Sequence, residues 1–400
     1  MKEDNIFLAL LLPGPAHPGR DIDILLEPLI DELKSLWVDG VETYDVSKKQ
    51  HFIMKASLIW TVSNFPAYEM LSGWGTHGRL ACPYCMAETK SFRLLNGGKP
   101  TWFGCHRCFL DKDNVLRKDA NNFIYGKADN SKRPPMLTGE EALKELDKFP
   151  PIKWGKTGKL DQILGYGKTH HWQKKSIFFR LPYWSKNLLR HNIDLMHLEK
   201  NFAENLIYML FDIPNKTKDN AKARDDLKVY CNRPSLHLTE NGLKPKAPYA
   251  LTYAEKRQVM TWLKETVRFP NGYASNLSRC VNLTNCTLSG LKSHDFHVFI
   301  ERLIPVAFRD FVPDSIWDLL CSISKFFREI CAKELNRARV EELEKEIVET
   351  ICKLEMHFPP SFFDSMEHLV IHVAHEARIG GPTGPRWMYA CERYIFFFMT

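Results

Sequence analysis

Apolar positions along this chain fall into several distinct regimes. Residues 5–12 (NIFLALLL) run continuously apolar until Pro13-Gly14-Pro15, the pattern of a strand buried on both faces. Residues 21–37 then set Ile24, Leu25, Leu29, Leu33 and Leu36 near helical spacing, and Phe52–Val62 returns to a strand-like run ending at Ser63-Asn64-Phe65-Pro66. Strand, helix, strand is the order of an α/β layer. Periodicity disappears between 73 and 135, where Gly, Cys, His and Arg are dense. It returns at 138–149, where Thr138 with Glu141 three positions later predicts a capped helix. Residues 150–175 read as a surface loop.

The second half carries helical period almost throughout. Asp194–Leu210 predicts a helix with Leu195, Leu198, Phe202, Leu206 and Met209 on one side. Pro214, Pro234, Pro245 and Pro248 break 212–250, which reads as a linker or an exposed subdomain. Helices are then predicted over 253–267, 296–309, 314–335 and 339–357. The fold class that follows is α/β then all-α.

Composition narrows the setting. With 400 residues, 44% of them hydrophobic, the chain can bury a sizeable core and divides into two or three domains. A formal charge of +7 fits a polyanion partner but is spread over the chain. Eleven cysteines without a signal-peptide pattern point to a reducing compartment, with thiols free or bound to metal. The longest apolar runs, Ile6–Leu12 and Tyr394–Met399, are too short to span a bilayer, so no membrane association is expected and a soluble protein is.

Two constellations carry candidate chemistry. Cys82-Pro-Tyr-Cys85 is followed by Cys105-His106-Arg107-Cys108, and such pairs can close a tetrahedral Zn²⁺ site. Cys82, Cys85, Cys105 and His106 are the expected ligands, with Cys108 and His77 as alternates, and ordinary reduced thiols are the competing reading. A metal held by four protein groups is structural, because no position remains for a reactive water. The other constellation is Asp194-Leu-Met-His197-Leu-Glu199-Lys-Asn, in which Asp194 also suits the cap of the following helix.

At these motifs the chain resembles a known family. FPAYEMLSGWGTHGRLACPYC, SFRLLNGGKPTWFGCHRCFL and LLRHNIDLMHLEKN look like the transposase of plant CACTA-type (En/Spm) elements. GLKSHDFHVFIERLIPV, ICKLEMHFPPSFFDSMEHLVIHVAHEARIGGP and RWMYACERY are similar to the domain of unknown function that commonly follows it. The resemblance implies a partial ribonuclease-H-like core over 1–211 with a Cys/His-rich insertion at 73–135, a linker or subdomain at 212–285, and a helical transposase-associated domain at 286–400. It also implies a nuclear protein and a DDE triad of two aspartates and a glutamate holding paired Mg²⁺ or Mn²⁺ for phosphodiester chemistry.

By motif, the family glutamate falls on Glu199. The second aspartate falls on Asn64, an amide, and the first lies upstream of this chain. Asp45 and Asp194 are the alternative acids. The expectation is a truncated, catalytically inactive chain that does not hold Mg²⁺ or Mn²⁺ productively, set against an active nuclease with a rearranged triad or a zinc-stapled interaction module. DNA at transposon ends and a full-length transposase are the expected partners. Lys174, Lys175, Arg180, Lys186 and Arg190, beside Trp154, Trp172, Phe178, Phe179 and Trp184, suit phosphate contact and base stacking. His368, His372 and His375 are read instead as a helix face in the C-terminal domain.

Overall fold

The computed structural model describes residues 6–12, 17–149 and 163–399. In chain order they form α1 (Ile22–Val38), β1 (Val41–Asp45), β2 (Gln50–Met54), β3 (Thr61–Ser63), α2 (Phe65–Ser72), β4 (Phe92–Arg93), β5 (Pro100–Thr101), α3 (Val115–Lys118), α4 (Gly139–Leu146), β6 (His191–Ile193) and α5 (Leu195–Leu210). There follow α6 (Ala221–Tyr230), α7 (Tyr253–Thr261), β7 (Val281–Asn282), β8 (Thr287–Leu288), α8 (Ser293–Val298), α9 (Ile304–Phe308), α10 (Asp314–Ile330), α11 (Arg337–Glu355), α12 (Ser365–Gly380) and α13 (Tyr389–Met399). The chain is therefore mixed α/β in its N-terminal part and helical towards its C terminus. No described helix is long and apolar enough to cross a membrane.

Two compact units share the chain, and neither is continuous. The first draws on 1–89, 135–194 and 386–400, the second on 90–134 and 195–385. The expected boundaries at 211 and 285 fall inside the second unit, because packing groups segments that sequence order separates.

In the first unit, α1 buries Leu26 and Ile30 against Ile177, Phe178, Leu181, Tyr183 and Trp184. A second cluster joins Trp74, Leu80, Met86, Ala142, Leu146 and Trp172, with the Trp74 and Trp172 rings edge-to-face at 4.9 Å. Gly73 ends α2 at φ +82°, and a Cβ there would meet the Lys174 carbonyl oxygen at 2.3 Å, so only glycine fits. The predicted cap of α4 is present: Thr138 Oγ1 accepts from Glu141 N, and the Glu141 carboxylate accepts from Thr138 N.

Two strand expectations need correction. Residues 6–12 pair with no described strand, and Phe7 and Leu11 are 84% and 78% exposed. A continuous apolar run becomes a buried strand only where neighbouring strands pair with it, and none among the described residues does. The 52–62 run divides into β2, which pairs antiparallel with β1, and β3, which pairs parallel with β6 as Thr61↔His191 and Ser63↔Ile193.

In the second unit, the apolar faces of α5, α8, α10, α11 and α12 form the core. Leu198, Phe202, Leu206, Leu320, Ile323, Phe327, Leu343, Ile347 and Ile351 are each at most 2% exposed, and each such side chain contributes about 1.5–3 kcal/mol of burial. Residues 212–250 are not an exposed linker. They contain α6 and a buried ion pair in which Arg224 Nη2 donates to Asp219 Oδ2 at 2.7 Å.

The Cys/His-rich insertion divides between the units at residue 89. Its later part buries Leu94, Trp102, Phe103 and Phe123 but has little regular structure, and two arginines serve its carbonyls. Arg107 donates to the carbonyls of Leu116, Asp119 and Lys127 and lies over the Phe123 ring, while Arg117 donates to those of Cys108, Leu110, Asp129 and Ser131.

Candidate functional site

The carboxyl ends of β3 and β6 gather the first candidates. Since Ser63 is registered with Ile193, Asn64 and Asp194 are the next residues on two neighbouring parallel strands, the edge where open α/β sheets carry their sites. Asn64 caps α2, its Oδ1 accepting from Ala67 N at 3.1 Å. Asp194 is buried, and its Oδ1 accepts from Met388 N at 2.9 Å. Beside it, Asn192 Oδ1 accepts from Arg386 Nη1 at 2.8 Å.

Glu392 on α13 is an acid that reading the sequence passed over. Burial, then the charges of Asp194 and Glu392, raise the Cys391 thiol, so both acids act on this neighbourhood. Its only signal was its place in the quoted RWMYACERY stretch. Asp45, the alternative acid, closes the β1–β2 turn by accepting from Ser47 Oγ at 2.8 Å and Lys48 N at 3.1 Å. These bonds, Ser47 first, hold its carboxyl below the usual range, and they account for it as a turn residue.

Cys82 and Cys85 form a compact turn in which Cys85 N donates to Cys82 Sγ at 3.3 Å, the backbone arrangement of one half of a zinc site. The other expected ligands need correction. Cys105, His106 and Cys108 belong to the second unit, where the fully buried His106 has Nδ1 2.5 Å from Glu355 Oε1. Cys108 Sγ donates to Cys105 O at 3.2 Å, and burial raises its thiol to about 11. In this arrangement Cys108 is a hydrogen-bonding thiol and His106 a carboxylate-bound imidazole. His77 is exposed, with Nδ1 3.6 Å from Glu69 Oε2 beside a cavity of about 490 Å³.

Cys82 and Cys85 are nonetheless donors of the kind that can hold an ion such as zinc. His368 and His372 lie on α12 with their Nε2 atoms 3.4 Å apart, and both are of the donor type that can hold an ion, which the packing-face reading set aside. No disulfide joins any of the eleven cysteines.

Glu199 lies on α5 in the second unit and is 1% exposed. Its Oε2 is 2.7 Å from His297 Nδ1, and His297 Nε2 is 3.6 Å from Glu301 Oε1. Burial alone would lower the His297 pKa, but the hydrogen bond and charge of Glu199 raise it.

The basic set is largely occupied. Lys174 is 3% exposed and is bound to Asp23 Oδ1 at 2.6 Å, so it is corrected from a phosphate ligand to a core ion pair. Lys175 pairs with Asp147 at 2.7 Å, and Arg180 pairs with Glu27 and with Asp31 at 3.2 Å. Arg190 is half-buried and donates to Asn187 O at 3.3 Å, and Lys186 is exposed. Trp172, Trp184 and Phe178 are core residues rather than stacking platforms, and Trp154 lies outside the described residues.

Residues 1–149 match the family model of transposase family tnp2, and residues 330–400 match that of a domain of unknown function (DUF4218). No curated protein and no solved structure matches the chain. The two matches support a transposase-family protein. Asn64, Cys82 and Cys85 fall inside the first match, Glu392 inside the second, and Asp194 and Glu199 between them.

Proposed function

We propose that this chain, carrying a tnp2 transposase segment over residues 1–149, is a CACTA-type, transposon-derived protein of the nucleus. Its ribonuclease-H-like core no longer assembles a metal pair. The observation that carries the reading is the parallel β3–β6 pairing, which sets an amide, Asn64, beside Asp194 where a two-metal nuclease needs charge.

The residues present do not fit paired Mg²⁺ or Mn²⁺. Hard dications prefer anionic oxygens, and an amide offers one neutral oxygen. That oxygen is already engaged by Ala67 N, and one oxygen of Asp194 by Met388 N. Glu199, the expected third acid, is bound to His297 within the second unit.

What the chain retains is binding. Exposed Lys186, with Lys175 and Arg180 in weak surface pairs, suits sequence-independent phosphate contact at transposon ends. The Cys82–Cys85 turn supports a structural zinc and favours a second reading, a zinc-stapled module that associates with full-length transposase.

A plasmid-nicking assay with Mn²⁺ tests the first reading. No cleavage above a mock preparation is expected, whereas nicking that disappears in Asp194→Asn or Glu199→Gln would establish an active enzyme. DNA affinity should fall with rising salt, and Lys175→Gln with Lys186→Gln should lower the log–log slope by about 2. Binding without salt dependence would favour the interaction module.

A further inference from the structure

The geometry points to a metal site formed by Glu199, His297, Glu301 and Cys331, suited to a divalent transition ion of the zinc class. Glu199 comes from α5, His297 from α8, Glu301 from the turn after it, and Cys331 from the residue capping α10. One donor atom from each lies within 4.8 Å of the others. A tetrahedral zinc spaces its donors by roughly 3.5 Å, so modest side-chain rotation closes the set. An ion between Glu199 and His297 takes the place of the proton they share across 2.7 Å.

Two further observations separate this cluster from a chance gathering of acids. Glu199 is 1% exposed, and its Oε1 has no hydrogen-bond partner among the described residues. A buried carboxylate oxygen with nothing to compensate it is rarely kept without a use. The second observation is in the backbone. Between α8 and α9 the helix widens into a π-helical turn, Phe299–Leu303, which contains Glu301. Such turns occur frequently at functional positions, and here it leaves Glu301 Oε1 3.6 Å from His297 Nε2.

Donor chemistry selects the ion. Imidazole and thiolate favour Zn²⁺, Co²⁺ or Fe²⁺ over Mg²⁺ and Ca²⁺, which take oxygen alone. Two carboxylates and a thiolate carry three negative charges. A dication balances two, and Arg302, with Nε 3.9 Å from Glu301 Oε2, faces the remainder. Four protein ligands leave no position for a reactive water, so the ion would tie α5 to α8 and to the end of α10. The site stands apart from the strand-end reading, because Asn64 and Asp194 take no part in it.

Native mass spectrometry of the full chain purified with zinc counts the ions per molecule. The unaltered chain should hold one zinc more than Cys331→Ser and one more than Glu301→Gln, both isosteric changes. Cys82→Ser combined with Cys331→Ser should lose two. Circular dichroism confirms that each variant is folded, and His297→Gln replaces any that is not. Equal zinc counts in the unaltered chain and the folded variants overturn the site, leaving a hydrogen-bonded network of Glu199, His297 and Glu301. An unaltered chain that holds no zinc overturns it as well.

Discussion

Lys174 and Asp23 bury opposite charges 2.6 Å apart, with side chains 4% and 1% exposed. Burial lowers the lysine pKa and raises the aspartate, so each charge persists only through its partner. Asp23→Ala should therefore cost about 3–5 kcal/mol by leaving a buried ammonium unpaired, while Lys174→Met with Asp23→Leu should be close to neutral. Urea unfolding of the two variants separates these outcomes, and a small effect in both would mean that the pair is hydrated. Nothing local marked Lys174 as a core residue. Its charge and aromatic neighbours read as a nucleic-acid surface, because the partner aspartate lies about 150 residues away in sequence. Asn64 was legible, since a substituted motif position is visible in one dimension.

At the scale of elements, local signals survived and distant ones did not. The Thr138–Glu141 capping box and the apolar stripe of α5 depend on neighbours three or four positions apart, and both appear as read. Residues 6–12 pair with no described strand, because strand formation depends on partners that spacing cannot name. α12 offers a test of element-level electrostatics. Its capping pair, Asp364 and Glu367, shares Lys218, whose Nζ is 2.5 Å from Asp364 Oδ2 and 3.6 Å from Glu367 Oε2.

Burial, then the charge of Asp364, raises Glu367 from 4.5 to about 8. A folded-state pKa above the unfolded one contributes stability that is complete below the unfolded value and is lost as pH rises through the folded one. Relative to Glu367→Gln, the unaltered chain should therefore lose stability steadily between pH 4.5 and about 8. Thermal unfolding at several pH values checks this, and a constant difference between the two proteins would place the shared proton elsewhere.

For the whole molecule, each compact unit draws on segments separate in sequence, so contiguous ranges such as 212–285 do not coincide with either unit. The Cys/His-rich stretch looked like one zinc module, yet residue 89 divides it between units. Its later half has Arg107 and Arg117 bound to its carbonyls and the buried His106–Glu355 contact. Zinc content should accordingly fall by one ion in Cys82→Ser and stay unchanged in Cys105→Ser. Elemental analysis decides this, and a loss in Cys105→Ser would restore the original ligand set.

The central claim is that an amide at position 64 leaves the strand ends unable to hold a catalytic dication. Titration calorimetry with Mn²⁺ on the purified full chain, beside Asn64→Asp, tests it most directly. Aspartate still caps α2, so the variant should fold and should bind Mn²⁺ at least about tenfold more tightly through the added charge. Equal, tight binding by both proteins that is lost in Asp194→Asn would contradict an inert site.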